Sequence, residues 1–173
     1  NLGRAKLLAK LRPGQIVPEI PRNAEPRTGL SMGEHTAIMA REWGISRAAQ
    51  DELTAASHQA LAAAYEEGFT DDLVSSYLGL ERDQNLRADS TVEKLGKLKP
   101  VFGGPEGTMT AGNSTPLSDG ASAVLLGSEE WAAEHGLTPL ARFRDAETAA
   151  ADYVGGRDGL LIAPAYAVPR MLA

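Results

Sequence analysis

The run Thr108–Glu130, TMTAGNSTPLSDGASAVLLGSEE, constrains the fold more than any other stretch. Gly112 and Asn113 accept backbone angles that larger residues resist, so the chain can turn sharply there and its backbone can approach a ligand. Ser114 and Thr115 then offer two hydroxyls, and Pro116 stiffens the residues after it. Asp119-Gly120 marks a second turn. The segment from Ala121 to Leu126 is small and apolar on both faces, which predicts a strand covered on both sides. Ser128, followed by Glu129 and Glu130, predicts a helix N-cap with acids in the first turn. A polar turn at the rim of a buried strand is site-like, and the rest of the chain is read around it.

Upstream, Leu7, Leu8 and Leu11 alternate with Lys6, Lys10 and Arg12, and Pro13, Pro18, Pro21 and Pro26 break any regular element. Residues 1–27 therefore read as an extended arm. Residues 28–107 read as mainly helical. A first helix builds around Gly33, with Met32, Ile38 and Met39 as its apolar points. Ser46 caps a long helix from Arg47 to about Glu67, and Gly68 ends it. Ala49, Leu53, Ala56, Ala60, Leu61 and Ala64 recur at three and four residues, predicting one buried apolar stripe with Arg47, Asp51, Glu52 and Glu66 opposite. Residues 69–90 read as surface turns or a short strand. Ser90 is placed to cap a short helix through Lys97, which Pro100 terminates. Gly103-Gly104-Pro105 is a loop. The composition shifts near residue 107, and strand-helix-strand alternation follows: a strand and helix in 108–138, then a strand at Leu140–Phe143, a turn at 155–159 and a last helix opening near Pro164 or Pro169 in 139–173. The fold class is α/β.

A chain of 173 residues can bury a real core. Its formal net charge of −6 leaves no broad basic field to attract phosphate backbones, which argues against a nucleic-acid partner. No apolar run approaches the roughly 18 residues that a membrane span needs. With no cysteine there are no disulfides, and the expected compartment is the cytoplasm. The chain opens at Asn1 and closes at Met171-Leu172-Ala173 inside a rising helix, so both ends read as cut from a longer polypeptide. His35, His58 and His135 have no partner at metal-ligand spacing, and no metal site is expected. Asn113-Ser114-Thr115 fits a glycosylation sequon that no secretion signal supports. No G-x-S-x-G, Walker loop or G-x-G-x-x-G occurs.

The segment TMTAGNSTPLSDGASAVLLGSEE, with TGLSMGEHTA before it, LRADSTVEKLGKLKPVF between them and LLIAPAYAVP after, resembles the thiolase family. Within that family the likeness is to degradative 3-ketoacyl-CoA thiolases of the trifunctional β-subunit type. It runs from about Leu7 onward, and the ordered matches at family spacing make it specific. It implies an αβαβα parent fold, of which these residues would be the helical CoA-binding loop domain (28–107), the last strand and helix of the N-terminal half (108–138) and the start of the C-terminal half (139–173). It implies an acetyl-CoA C-acyltransferase that cleaves 3-ketoacyl-CoA with free CoA through an acyl-cysteine intermediate. Coenzyme A is then a substrate, with no permanently bound cofactor. The implied assembly is a homodimer or tetramer, with the strand ending near Leu126 at its two-fold interface, joined to a hydratase/dehydrogenase subunit in the trifunctional type.

The same resemblance assigns site residues. Thr115 takes the place of a hydroxyl that contacts the pantetheine arm, after Ala111, Gly112 and Asn113. Phe102 and Leu98 match an aromatic and an apolar neighbour in the CoA groove. Arg87 matches a basic residue near the adenine-phosphate end, and Met32 a methionine at the acyl pocket, where Ser31 stands in place of the histidine common in biosynthetic relatives. Plain core packing accounts equally for Phe102 and Leu98, and better for Met32. Arg87, Lys94, Lys97 and Lys99 make a local basic cluster in an acidic chain, and guanidinium suits phosphate geometry best. The family's nucleophilic cysteine and its G-H-P and C-G-G motifs are not in this sequence, so no catalytic residue is assigned and these residues alone are expected to be inactive. Two rivals stand beside the enzyme: a thiolase-like acyl-CoA or lipid carrier, and a stand-alone helical binding or oligomerisation module.

Overall fold

The computed structural model describes residues 22–156 and 158–173. The prolines at 13, 18 and 21 and the basic-apolar run before them lie outside the described residues. The chain forms two compact units, Asn1–Met32 and Gly33–Ala173. In the first, the described residues close a turn around Glu25. Its carboxylate accepts from the Arg27 and Thr28 N–H groups at 2.8 and 2.7 Å, and its own N–H and carbonyl bond Leu30 and Gly29.

The elements in order are α1 (Met32–Glu42), α2 (Arg47–Glu66), α3 (Val92–Gly96), β1 (Pro100–Phe102), β2 (Met109–Thr110), α4 (Glu129–Glu134) and α5 (Ala163–Leu172). Helix ends follow local chemistry closely. The Ser46 hydroxyl accepts from the Ala49 N–H at 3.1 Å at the start of α2. At its other end the Phe69 N–H reaches the Ala64 carbonyl at 2.9 Å and the Gly68 N–H reaches Tyr65, with Gly68 at φ +72°. That pair of bonds is the left-handed closing motif a glycine permits at no steric cost. Helix α4 repeats the pattern, with Ser128 accepting from Trp131 and Gly136 at φ +66° closing it. The cap of α3 is Thr91 rather than Ser90: its hydroxyl accepts from Lys94 at 3.3 Å, while Ser90 is buried.

Strands β1 and β2 pair antiparallel, Pro100 opposite Thr110 and Phe102 opposite Met109, with an irregularity between the two pairs. The connecting turn needs glycine. A Cβ on Gly107 would sit 2.0 Å from the Phe102 carbonyl oxygen, and one on Gly33 would sit 2.4 Å from the Phe102 ring. Phe102 thus packs on the backbone of α1, and α3 packs on α2. The buried apolar residues are few and small: Ala37, Ala40, Ala55, Leu95, Met109 and Ile162.

Three expectations are overturned here. The face of α2 turned inward is not the alanine-leucine stripe. Leu53 is 73% exposed and Ala49, Ala56 and Ala60 are exposed, whereas Asp51, at 1%, and Ala55 are buried and Arg47, Gln50, Thr54 and His58 are half-buried. Hydrogen-bond partners on α3 and the 108–113 turn select that face, because a buried polar group without a partner costs more than an exposed methyl. Residues 121–126 form no strand, and Leu126 is 77% exposed. Leu140–Phe143 forms none either, with Leu140 98% exposed. A strand needs a neighbour to take its N–H and carbonyl groups, and the sole sheet among the described residues is β1–β2. Without a neighbour, both apolar runs stay open to solvent.

Candidate functional site

A groove of about 740 Å³ opens along the inward face of α2. One wall is α2 itself, through Thr54, Ser57, His58 and Leu61; a second is the 83–90 loop; the floor is Leu95 and Leu98; the far rim is the turn Ala111–Pro116. The turn sits directly on the floor. A Cβ on Gly112 would come within 2.5 Å of Leu98 Cδ1 and 2.7 Å of Leu95 Cδ2. Gly112 does not adopt a positive φ, so its role is close approach and not a left-handed bend. Asn113 likewise keeps an ordinary backbone and spends its side chain instead.

That side chain is the centre of a hydrogen-bond network. Asn113 Nδ2 donates to Asp51 Oδ1 and to the Thr108 carbonyl, each at 3.0 Å, while Oδ1 accepts from the Thr110 N–H at 2.7 Å. Thr110 is 0% exposed, and its hydroxyl accepts from the Gly112 and Asn113 N–H groups. Asp51 is paired with Arg47 Nε at 2.7 Å. The Arg47 guanidinium also donates to the carbonyls of Leu95 and Leu98. Gln50 reaches across to the Thr108 hydroxyl at 2.9 Å. The Ser114 hydroxyl is enclosed and has no hydrogen-bond partner.

Of the residues singled out from sequence, Arg87, Leu98, Ala111 and Thr115 line this one groove. Phe102 does not, since its ring lies against Gly33. Met32, at the start of α1, is not among the lining residues either. Thr115 is exposed, and its hydroxyl makes only a long contact, 3.4 Å, to the Pro116 carbonyl. Arg87 is held on its own loop, Nη1 donating to the carbonyls of Gln84 and Leu86 at 2.9 and 3.0 Å. The other cations of the basic cluster do not join it. Lys94 pairs with Asp89 at 2.6 Å and holds that carboxyl below its ordinary range, and neither Lys97 nor Lys99 lines the groove.

Sequence reading set His58 aside as lacking metal-ligand spacing and placed Asp51 opposite the apolar stripe, giving neither a part in the site. His58 Nδ1 accepts from the Arg87 N–H at 3.2 Å, which leaves Nε2 carrying the proton in the neutral ring. Its spacing from Asp51, seven residues along α2, was the available signal for a shared face. His35 is buried with its ring edge-on to Tyr153, and His135 stacks on Trp131 at 4.1 Å. Among the described residues no group of three or more His, Cys, Asp or Glu is placed to hold a metal ion, and no helix is long and apolar enough to cross a membrane.

Comparison with known proteins gives this arrangement a context. Residues 18–130 match the family model described as thiolase, N-terminal domain. A 3-ketoacyl-CoA thiolase of Pectobacterium carotovorum subsp. carotovorum is 43% identical over 176 residues, covering 98% of this chain and 40% of the relative. One from Klebsiella pneumoniae is 42% identical over 175 residues, covering 98% and 39%. Among solved structures, human mitochondrial 3-ketoacyl-CoA thiolase in complex with CoA superposes with a TM-score of 0.70 at 32% identity, over 76% of this chain and 34% of that one. The Bacillus anthracis acetyl-CoA acetyltransferase superposes with a TM-score of 0.72 at 32% identity, over 92% and 44%. The α/β fold is therefore that of part of such an enzyme, and the chain spans about 40% of the length of the curated relatives it matches.

Proposed function

The chain belongs to the thiolase family, and from that premise we propose that its groove binds coenzyme A within an acetyl-CoA C-acyltransferase. That enzyme cleaves 3-ketoacyl-CoA with free CoA, giving acetyl-CoA and a shortened acyl-CoA, the thiolytic step of fatty-acid β-oxidation. The observation that carries the reading is the gathering of Arg87, Leu98, Ala111 and Thr115 in one groove. Those residues come from the 83–90 loop, the stretch just beyond α3 and the 111–116 turn, and have a cation, apolar walls and a hydroxyl to offer.

The groove suits the ligand. Coenzyme A is anionic at its nucleotide end and amide-rich along its arm. Arg87 and the Nε2–H of His58 supply charge-assisted donors for phosphate at one end. At the other, Thr115 and the close backbone of Ala111-Gly112 supply hydrogen-bonding groups to the arm, with Leu95 and Leu98 excluding water beneath. The reaction further needs a thiolate nucleophile and a group to move protons. The 173 residues contain no cysteine, so this chain contributes ligand binding and no sulfur chemistry.

The wider proposal extends the same resemblance: a trifunctional β-subunit type enzyme, cytoplasmic, assembled as a homodimer or tetramer and able to join a hydratase/dehydrogenase subunit. The open apolar run at Val124, Leu125 and Leu126 supports further protein covering that segment. Within that enzyme we take residues 28–107 as the CoA-binding loop domain, 108–138 as the end of the N-terminal half and 139–173 as the start of the C-terminal half. Phe102 and Met32 stay as candidate groove and acyl-pocket residues that act only with the rest of the enzyme present. A second reading uses the same groove, a carrier that holds acyl-CoA without cleaving it. Calorimetric titration with CoA tests the common ground: saturable binding supports both readings, and none refutes both. Thiolysis of a 3-ketoacyl-CoA by the full-length protein then separates them, with cleavage excluding the carrier.

A further inference from the structure

We propose that Asp51 and Asn113 form a positioning pair that holds the Thr115-bearing turn at the working distance from the groove floor. The inference rests on the reading of the groove as a coenzyme A site and assigns a role to residues that need not touch the ligand.

Asp51 is a carboxylate almost wholly removed from water, and a buried charge persists only when its partners compensate for lost hydration. Its two partners point in different directions. Arg47 Nε takes one oxygen at 2.7 Å, and the same guanidinium reaches the carbonyls of Leu95 and Leu98, on and just beyond α3. Asn113 Nδ2 takes the other oxygen at 3.0 Å. One ion pair in the first turns of α2 therefore grips the floor through its arginine and the rim through its aspartate.

Asn113 is fully committed to this task. Both its amide hydrogens are used, on Asp51 and on the Thr108 carbonyl, and its oxygen accepts from Thr110. Rotating the amide would set its oxygen against the Asp51 carboxylate, so its orientation is fixed. No side-chain donor on Asn113 remains for a ligand. Thr115 comes two residues later, and its own contact to Pro116 is too long to fix it. The position of that hydroxyl is therefore inherited from Asn113.

The phosphate-facing end is held by separate bonds. Arg87 is tied to Gln84, Leu86 and His58, and those bonds share no residue with the Asp51–Asn113 network. Uncoupling the pair should consequently weaken recognition of the arm and spare recognition of the nucleotide. A general loss of structure would weaken both.

The test compares two probes, coenzyme A and adenosine 3′,5′-bisphosphate, which lacks the arm, on wild type and Asn113→Ala. The expected result is a roughly tenfold rise in the Kd for CoA, the scale of one lost buried hydrogen bond. The bisphosphate Kd should move by less than about twofold. Equal weakening of both probes, or no change in either, overturns the proposal. Should Asn113→Ala fail to fold, Asn113→Asp serves: it keeps the shape and sets a second carboxylate against Asp51. Adding Asp51→Asn to it removes that repulsion and recreates one amide–carboxylate bond of reversed polarity, without the bond to the Thr108 carbonyl, and should improve CoA affinity at least about threefold over Asn113→Asp alone. No recovery overturns the pairing. Wild-type protein that binds neither probe refutes the coenzyme A reading itself, a result distinct from a variant that binds both as wild type does.

Discussion

Replacing Gly112 by alanine should damage stability and ligand binding together. The new methyl would sit 2.5 Å from Leu98 Cδ1 and 2.7 Å from Leu95 Cδ2. Carbon atoms pack at about 3.5–4.0 Å, so each leucine tip must retreat by about 1 Å. Neither obstacle is backbone, which rules out a catastrophic clash. Leu95 is buried, however, and the exposed Leu98 lines the groove that its movement would alter. Overpacking of this kind costs about 1–3 kcal/mol. For a chain of this size that corresponds to a fall in Tm of about 3–10 °C. Scanning calorimetry measures it, with Gly120→Ala as the control: Gly120 has open space within 4 Å and no positive φ, so alanine there should be neutral or stabilise by up to about 1 kcal/mol. CoA affinity should drop several-fold for Gly112→Ala alone. A Gly112→Ala protein that melts within about 1 °C of wild type would refute the close seating of the turn on the leucines.

The same geometry sets other outcomes. Thr115→Val should weaken CoA by about 1 kcal/mol by titration calorimetry, since one net hydrogen bond is lost and the hydroxyl has no strong internal partner to release. Arg87→Glu should weaken CoA more than dephospho-CoA, and equal losses would discard a phosphate role for Arg87. The Glu130 carboxyl is held below its ordinary value of 4.5, first by its own backbone N–H and then by the Ser128 hydroxyl. Because folding lowers that pKa, its contribution is full above about 4.5 and disappears as pH falls through the lower folded-state value. Urea unfolding between about pH 5 and about pH 3 should show a shallower acid loss in Ser128→Ala than in wild type.

Much of the local structure was legible in sequence because its causes are local. Ser46 and Ser128 cap their helices through their own hydroxyls, and Gly68 and Gly136 end them where a positive φ is required. The choice of face on α2 was not legible. Leu53 and the alanines carry the apolar period, yet Asp51 turns inward because Arg47 and Asn113 await it, and a carboxylate's distant partner leaves no trace in hydrophobic spacing. The segment from Ala121 to Leu126 has the composition of a covered strand, but a strand is a relation between two segments and composition describes one. For the site, four of the residues assigned by resemblance, Arg87, Leu98, Ala111 and Thr115, line one groove, while the Phe102 ring lies against Gly33. His58 entered the groove unannounced, since its seven-residue spacing from Asp51 marks a site face only once the inward face of α2 is known.

Hydrogen exchange with and without coenzyme A tests the central claim most directly. Added protection is expected at Ser57-His58, at Arg87 and across Ala111–Thr115, with the exposed stripe at Leu53 and Ala56 unchanged. Protection confined to other segments, or none at saturating CoA, would contradict it.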